Sequence, residues 1–155
     1  MADEENRGMS AIKRFDHVGI TVSDLDAVTR FFTGLGLELQ GPPMAMEGDF
    51  LDTVCGIPDA RTTVVMLQAP GGGTGVELSS FERPAPGPGR PDAMANELGI
   101  RSIAFEVTGL EEMVSRLTAD GYRLDGGVGE YEDQWRMAYV RGPEGIIVAL
   151  AERLG

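Results

Sequence analysis

The sequence predicts an α+β fold, in which two tandem βαβββ modules form a cupped, partly open mixed β-barrel with the helices outside. Three observations predict this architecture. Residues 15–39 align without a gap on residues 100–124, so the chain contains one unit twice. In each copy, alternating apolar residues typical of a strand precede an apolar period typical of a helix. Each copy also ends in two predicted strands joined by a turn that contains glycine and proline.

Proline and glycine divide the chain into parts. We predict a flexible N-terminal arm (residues 1–12), a first module (13–83) with an insertion (44–60), a Pro/Gly-rich connector (84–98) and a second module (99–155). The connector can be neither a helix nor a central strand, because its prolines lack a backbone N–H. A domain of 155 residues is large enough to bury a core without disulfides.

Composition excludes several classes of partner. The chain has 25 acidic and 13 basic residues, and its net charge of −12 repels nucleic acid. No run of about 18 apolar residues is present, so we expect no membrane partner. The single cysteine, Cys55, excludes an internal disulfide and a thiolate metal cluster, and favours a reduced, cytoplasmic location. We expect Cys55 itself to be buried.

The first predicted strand of each copy has two different faces. Residues 15–22 alternate, with aliphatic side chains on one face and His17, the only histidine, on the other. Ser102 occupies the equivalent position in the second copy. Because the aliphatic face should pack on helices, we expect His17 and Ser102 to face the space inside the barrel.

A helix is predicted after each of these strands. Both copies place a capping-box signature there, Ser23 with Asp26 and Thr108 with Glu111. Apolar residues then recur at helical spacing as far as Gly36 and Gly121, which suit a left-handed helix terminus. The two helices should therefore be equivalent in position and in the face that they bury.

The remaining elements follow in the same order in both copies. Strands are predicted near residues 37–40, 62–69 and 75–81, and near residues 122–125, 135–141 and 146–151. The turn at residues 142–145 has Pro at its second position and Gly at its fourth. Within the insertion, residues 49–56 predict a short helix ended by Gly56, which we expect to lie across the rim of a cavity.

The tandem pattern resembles the vicinal oxygen chelate superfamily, which includes glyoxalase I, methylmalonyl-CoA epimerase, extradiol dioxygenases and bleomycin-resistance proteins. The resemblance covers residues 14–153 and is clearest at residues 15–20, 35–38, 76–78 and 142–148. It implies a homodimer. In the metal enzymes of this family, residues on the first and last strands of each module hold a divalent ion.

The resemblance implies an incomplete metal site in this chain. His17 and Glu77 match the ligand pair of the first module, whereas Ser102 and Ala149 replace the pair of the second. A catalytic zinc site needs three protein ligands, and a hydroxyl and a methyl group do not supply them. We therefore expect no cofactor. A divalent metal would need a further donor, for which the conceivable residues are Glu106, Glu130, Glu132 and Asp133.

Three interpretations of His17 stay open. It can be half of a metal site, a general base or hydrogen-bond partner that Glu77 orients, or a structural histidine. Glu77 needs His17, Arg101 or a cationic ligand as its partner if it lines a cavity, since burial of an unpaired carboxylate is costly.

A further set of residues is predicted to bind substrate. Alternation within the strands puts Met66, Trp135, Met137 and Tyr139 on the same side as the site positions. Together with Phe50 of the insertion and Ser102, they would form a cavity wall suited to a flat or apolar ligand.

Two functions of different classes follow from these residues. The first is a metal-independent small-molecule-binding protein, similar to the bleomycin-resistance branch, that sequesters an apolar or cationic compound. The missing ligands and the acidic surplus favour it. The alternative is an isomerase or lyase that resembles glyoxalase I or methylmalonyl-CoA epimerase, with His17 and Glu77 in proton transfer or in a divalent metal site.

Overall fold

The computed structural model describes residues 10–155 and contains two five-stranded sheets. Most of the predicted N-terminal arm lies outside the described residues. The first sheet contains β1 (His17–Thr21), β2 (Glu38–Leu39), β3 (Met44–Glu47), β4 (Arg61–Gln68) and β5 (Gly75–Arg83), with helices α1 (Leu25–Leu35) and α2 (Asp49–Cys55). The second contains β6 (Ser102–Glu106), β7 (Arg123–Leu124), β8 (Gly129–Tyr131), β9 (Trp135–Arg141) and β10 (Ile147–Arg153), with α3 (Leu110–Ala119) and a 3₁₀ turn (Pro143–Gly145).

The two sheets have the same topology. Their strand orders are β1-β5-β4-β2 and β6-β10-β9-β7, with β3 paired to β4 and β8 paired to β9. The first and last strands of each module run parallel, and the other pairs are antiparallel. The predicted α+β fold of two tandem modules with an open barrel is therefore confirmed. No helix in the described part of the chain is both long and apolar enough to cross a membrane.

Each sheet has one strand more than the sequence predicts, because its edge strand is split. The eight-residue β4 pairs with β2 at one end and with β3 at the other, and Gly41, at a φ of 88°, lies between the two. The predicted insertion therefore begins with a strand of the sheet. In the second sheet, β7 and β8 share β9 in the same way. Three residues of β3 and all three of β8 are exposed, so neither strand has the alternating apolar face that predicts a strand.

The insertion helix forms where it is predicted. α2 ends at Gly56 with a φ of 68°, the left-handed conformation that glycine adopts without strain. Leu51 is buried, whereas Phe50 is 71% exposed. Cys55 is exposed, so the expectation of a buried cysteine is wrong. The apolar side chains in the last turn of this helix are exposed to solvent.

The helix N-caps lie one residue later than predicted. The cap of α1 is Asp24, whose carboxylate accepts the N–H of Ala27 at 3.0 Å, and the cap of α3 is Gly109. The predicted capping boxes at Ser23 and Thr108 do not form. Asp24 supplies the local cap of α1, and carboxylates from distant parts of the chain accept other backbone N–H groups at the start of each helix.

These distant carboxylates belong to Glu144 and Glu152. Glu144 accepts the N–H groups of Ser23 and Asp24 at 2.7 and 2.9 Å, and so ties the last hairpin of the second module to the first helix. Glu152 accepts the N–H of Gly109 at 2.6 Å. Glu144 has a φ of 59°, a left-handed conformation that costs free energy in a residue other than glycine. The two hydrogen bonds offset that cost.

Replacing Glu144 with glutamine is expected to lower the free energy of unfolding by about 1 kcal/mol, since an amide is a weaker acceptor for two N–H donors than a carboxylate. Chemical denaturation measures the change. Glu112→Gln is the matched control, because Glu112 is an exposed residue in the first turn of α3. Equal stability of the two variants would contradict the role of Glu144.

One hydrophobic core joins both modules. It takes side chains from α1, α3 and the helix-covered face of each sheet, including Phe32, Leu78, Leu110 and Leu150. Edge-to-face ring contacts also cross between the modules, Phe31 with Tyr122 at 4.9 Å and Phe32 with Phe105 at 6.3 Å between centroids. The face of each sheet opposite this core carries His17 and Glu77 in the first sheet, and Ser102 and Ala149 in the second. We call it the site face.

The connector is fixed to the second sheet by Arg141. The side chain of Arg141 is 6% exposed and pairs with Asp125, with Nε to Oδ1 at 3.0 Å. Its Nη1 donates to the carbonyl of Ala93 at 2.7 Å and to those of Pro91 and Gly145 at 3.3 and 3.2 Å. Gly145 has no room for a Cβ beside the Pro91 backbone. The connector is therefore held at the end of β9.

Candidate functional site

Strand register gives the proposed ligand positions the same arrangement in both modules. His17 lies beside Gly75, and Glu77 lies beside Gly19, two residues further along the strands. In the second sheet, Ser102 lies beside Ile147, and Ala149 lies beside Ala104. Ser102 is thus the structural counterpart of His17, and Ala149 is that of Glu77. The alignment of the two copies predicts the first relation, and the family resemblance implies the second.

The imidazole of His17 lies between two carboxylates. Its Nε2 is 3.5 Å from Oε2 of Glu77, and its Nδ1 is 2.7 Å from Oδ2 of Asp16. Asp16 also accepts a hydrogen bond from Arg14 at 2.6 Å. The side chains of His17 and Glu77 are 37% and 31% exposed, so solvent and solutes reach both. A charged imidazolium could donate to both carboxylates at once.

Asp16 is a residue of this arrangement that the sequence analysis missed. Neighbours on a strand normally point to opposite faces, so a contact between Asp16 and His17 is not expected within a regular strand. β1 begins at His17, however, and Asp16 precedes it outside the regular strand. The available signal was the alternation of charge among Arg14, Asp16 and His17. Oppositely charged side chains close together at the end of a strand can contact one another.

The hydrogen bond from His17, assisted by the charge of Arg14, lowers the pKa of Asp16 below its ordinary value of 3.8. Because the folded pKa is the lower one, the contribution of Asp16 to stability is present above pH 3.8 and is lost as the pH falls through the lowered value. We expect the Asp16 pKa, followed by the ¹³C shift of its carboxyl, to rise toward 3.8 in His17→Ala. An unchanged titration in this variant would show that the contact does not form in solution.

The donor set does not fit a divalent metal. Among residues 10–155, no three histidine, cysteine, aspartate or glutamate side chains converge closely enough to hold an ion. Glu130 instead forms an ion pair with Arg136 at 2.8 Å. One imidazole and one carboxylate would leave a zinc or similar ion mostly hydrated.

The four predicted wall residues all lie on the site faces. Met66 is beside Glu77, Tyr139 is beside Ala149, Met137 is beside Ala151 and Trp135 is beside Arg153. Met137 and Tyr139 are 38% and 36% exposed. The guanidinium of Arg153 lies 4.5 Å from the centre of the Trp135 ring. The second sheet therefore presents apolar side chains to solvent, with small residues at Ala104 and Ala149 beside them.

The predicted ligand-binding residue Phe50 has a different setting. It lies on α2, with most of its ring exposed. In the described part of the chain, its ring makes no contact with another aromatic ring. A role for Phe50 in binding stays a prediction.

One protein-family model matches most of the chain. The model described as Glyoxalase/Bleomycin resistance protein/Dioxygenase superfamily matches residues 16–139. Among curated proteins, no relative matches the chain.

Solved structures show the same fold. A glyoxalase family protein from Bacillus cereus is 38% identical, with a TM-score of 0.90, over 95% of this chain and 98% of that chain. A glyoxalase family protein from Enterococcus faecalis is 22% identical, with a TM-score of 0.60, over 91% and 98% of the two chains. TnmS3, an antibiotic binding protein from Streptomyces sp. CB03234, is 16% identical, with a TM-score of 0.58, over 93% and 98%.

Proposed function

The chain belongs to the Glyoxalase/Bleomycin resistance protein/Dioxygenase superfamily, and from that premise we propose that it binds and sequesters an apolar or cationic small molecule without a metal. The observation that carries the proposal is the exposed apolar surface of the second site face. Met137 and Tyr139 keep more than a third of their area open to solvent, where burial under a ligand would stabilise a complex.

Charge favours a cationic ligand. Glu106 is exposed in the same row of the second sheet as Met137. Glu77 is half-exposed on the first site face. The net charge of −12 draws cations toward the molecule as a whole. An aromatic ring such as that of Tyr139 also attracts a cation over its face, by about 0.5–2 kcal/mol.

The proposal needs no metal, in agreement with a donor set of one imidazole and one carboxylate. TnmS3, which is described as an antibiotic binding protein, has this fold and supports a binding role for it. Homodimerisation is part of the proposal, since the site faces are open in one chain and a second copy could cover them. Light scattering at several concentrations measures the mass.

A matched set of three ligands tests the binding proposal. Naphthylmethylamine, naphthylmethanol and naphthoate share one ring system and differ in charge. We expect the amine to raise the melting temperature most, the alcohol less and the acid least, because the ring meets the apolar wall and the amine meets carboxylates. Stabilisation by the acid as large as that by the amine would contradict the charge preference, and no stabilisation by any of them would contradict the apolar wall.

A second candidate function is supported by the approach of His17 to Glu77. The imidazole is held at Nδ1 by Asp16, while Nε2 faces solvent and Glu77 at 3.5 Å. Such a pair could move a proton at a carbon next to a carbonyl, as an isomerase or lyase requires. Turnover of a methylglyoxal hemithioacetal or of methylmalonyl-CoA, in the presence of EDTA, tests it. His17→Ala should abolish turnover with the fold retained.

A further inference from the structure

A cavity of about 300 Å³ lies where the first strands of the two modules meet the connector. Its walls include residues 18–21 in β1, Arg101 and Ser102 at the start of β6, and Arg90 of the connector. Ligand pockets in proteins begin at roughly this volume. Within the described residues, neither His17 nor Glu77 is part of its wall, so the cavity is separate from their contact.

Arg101 gives this cavity a positive charge. Its side chain is half-buried, and its Nε donates to the carbonyl of Ile100 at 3.0 Å. Over residues 10–155, no carboxylate lies within ion-pair distance of its guanidinium. The pKa of Glu97 is lowered mainly by the N–H of Met94 and then by Arg90 and Arg101. Glu97 is thus already paired with Arg90, which leaves the guanidinium of Arg101 available to a ligand.

The acidic side chain in the cavity wall is already satisfied. Glu144 is the one carboxylate among the described wall residues. Its two oxygens accept the N–H groups of Ser23 and Asp24 at the start of α1. These bonds and the positive end of the helix offset its charge. An anion in the cavity would therefore meet Arg101 without strong repulsion from Glu144.

Backbone N–H groups at two strand edges point toward the same space. The carbonyl of Asp16 and the N–H of Val22 bond to β5, so the even-numbered residues of β1 face that strand. Because alternate residues of a parallel strand bond to opposite sides, the N–H groups of Gly19 and Thr21 face the free edge, where both residues line the cavity. Val107 bonds to β10, so by the same alternation the N–H of Ser102 faces its free edge.

We propose that this cavity binds the oxyanion of a small molecule, either a carboxylate or a phosphate monoester, with Arg101 as its charge partner. A guanidinium can donate two parallel hydrogen bonds to either group. The edge N–H groups and the Ser102 hydroxyl supply neutral donors. The cavity shares Ser102 with the second site face, but its charge partner, Arg101, is not among the residues proposed to bind an apolar or cationic compound there.

Titration of the full chain with benzoate and with phenyl phosphate, followed by amide chemical shifts, tests the proposal. We expect the amides of Gly19, Thr21 and Ser102 to move with at least one of the two anions. Benzylamine, which has the same ring and the opposite charge, should not move them. Whichever anion binds more tightly identifies the oxyanion that the cavity prefers.

Variants at Arg101 complete the test. Arg101→Gln should weaken anion binding about ten-fold or more, because it removes a charged hydrogen-bond donor. Arg123→Gln is the control, since Arg123 is exposed on β7, outside the cavity wall.

Wild-type anion affinity in Arg101→Gln, or equal shifts with benzylamine, would overturn the proposal. If Arg101→Gln does not fold, Arg101→Lys decides: a several-fold loss is expected, and an unchanged affinity overturns the proposal. Binding of naphthylmethylamine should be the same in all three variants.

Discussion

Arg141→Met is expected to lower the free energy of unfolding by about 3–5 kcal/mol, the usual cost of leaving one partner of a buried ion pair alone. Asp125 would keep a buried carboxylate with no cation beside it, since its side chain is only 9% exposed. The carbonyls of Pro91 and Ala93 would also lose their donor. Chemical denaturation followed by fluorescence of Trp135, the single tryptophan, measures the loss.

Arg123→Met is the matched control for this prediction. Arg123 lies beside Arg141 in the sheet, but its side chain is exposed. It should therefore change stability by less than about 0.5 kcal/mol. A double variant, Arg141→Met with Asp125→Leu, should be more stable than Arg141→Met alone, because it removes the unpaired carboxylate. Similar stabilities of Arg141→Met and Arg123→Met would show that the buried pair does not hold the fold.

The same variant should also free the connector. Arg141 is the residue through which the carbonyls of Pro91 and Ala93 attach to β9. Without it, limited digestion with a glutamyl endopeptidase is expected to cut first after Glu97 of the connector, below the temperature at which the protein melts. Cleavage at the wild-type rate would mean that other contacts keep the connector in place.

Tyr139→Ala is expected to weaken binding of naphthylmethylamine about ten-fold or more. The ring is an exposed aromatic group of the second site face, and its loss removes both apolar contact area and the attraction between ring and cation. Isothermal titration calorimetry measures the affinity. Glu77→Gln should weaken the amine too, but leave naphthylmethanol unchanged, because only the amine carries a charge.

Leu98→Ala is the control for these binding variants. Leu98 is 99% exposed on the connector, so its removal takes apolar surface from the molecule away from the site faces. It should bind the amine as the wild type does. Equal affinities of Tyr139→Ala and Leu98→Ala would exclude Tyr139 from the binding surface and, with it, the proposed position of the ligand.

The fold could be predicted because its signals are periodic and occur twice. One side of β1 and one side of α1 are buried, and apolar residues recur on the buried side. This produces the alternation around His17 and the helical period that ends at Gly36. The edge strands β3 and β8 escaped prediction for the opposite reason. Their side chains are mostly exposed, and they form because β4 and β9 leave backbone groups unpaired along their length.

The candidate site was only partly predictable. Alignment of the two copies gave the correspondence of His17 with Ser102, and the family resemblance gave that of Glu77 with Ala149. The alignment could not predict the ion pair of Arg141 with Asp125 or the hydrogen bonds of Glu144 to the start of α1. Glu144 is 121 residues from Ser23, and Asp125 and Arg141, although only 16 residues apart, are brought together by the pairing of β7 with β9.

The most direct measurement for this account is the metal content of the purified protein, determined together with its affinity for naphthylmethylamine before and after treatment with EDTA. A protein that binds its ligand through side chains alone should contain far less than one divalent ion per chain and keep the same affinity. One tightly held ion per chain, whose removal abolishes ligand binding, would contradict it.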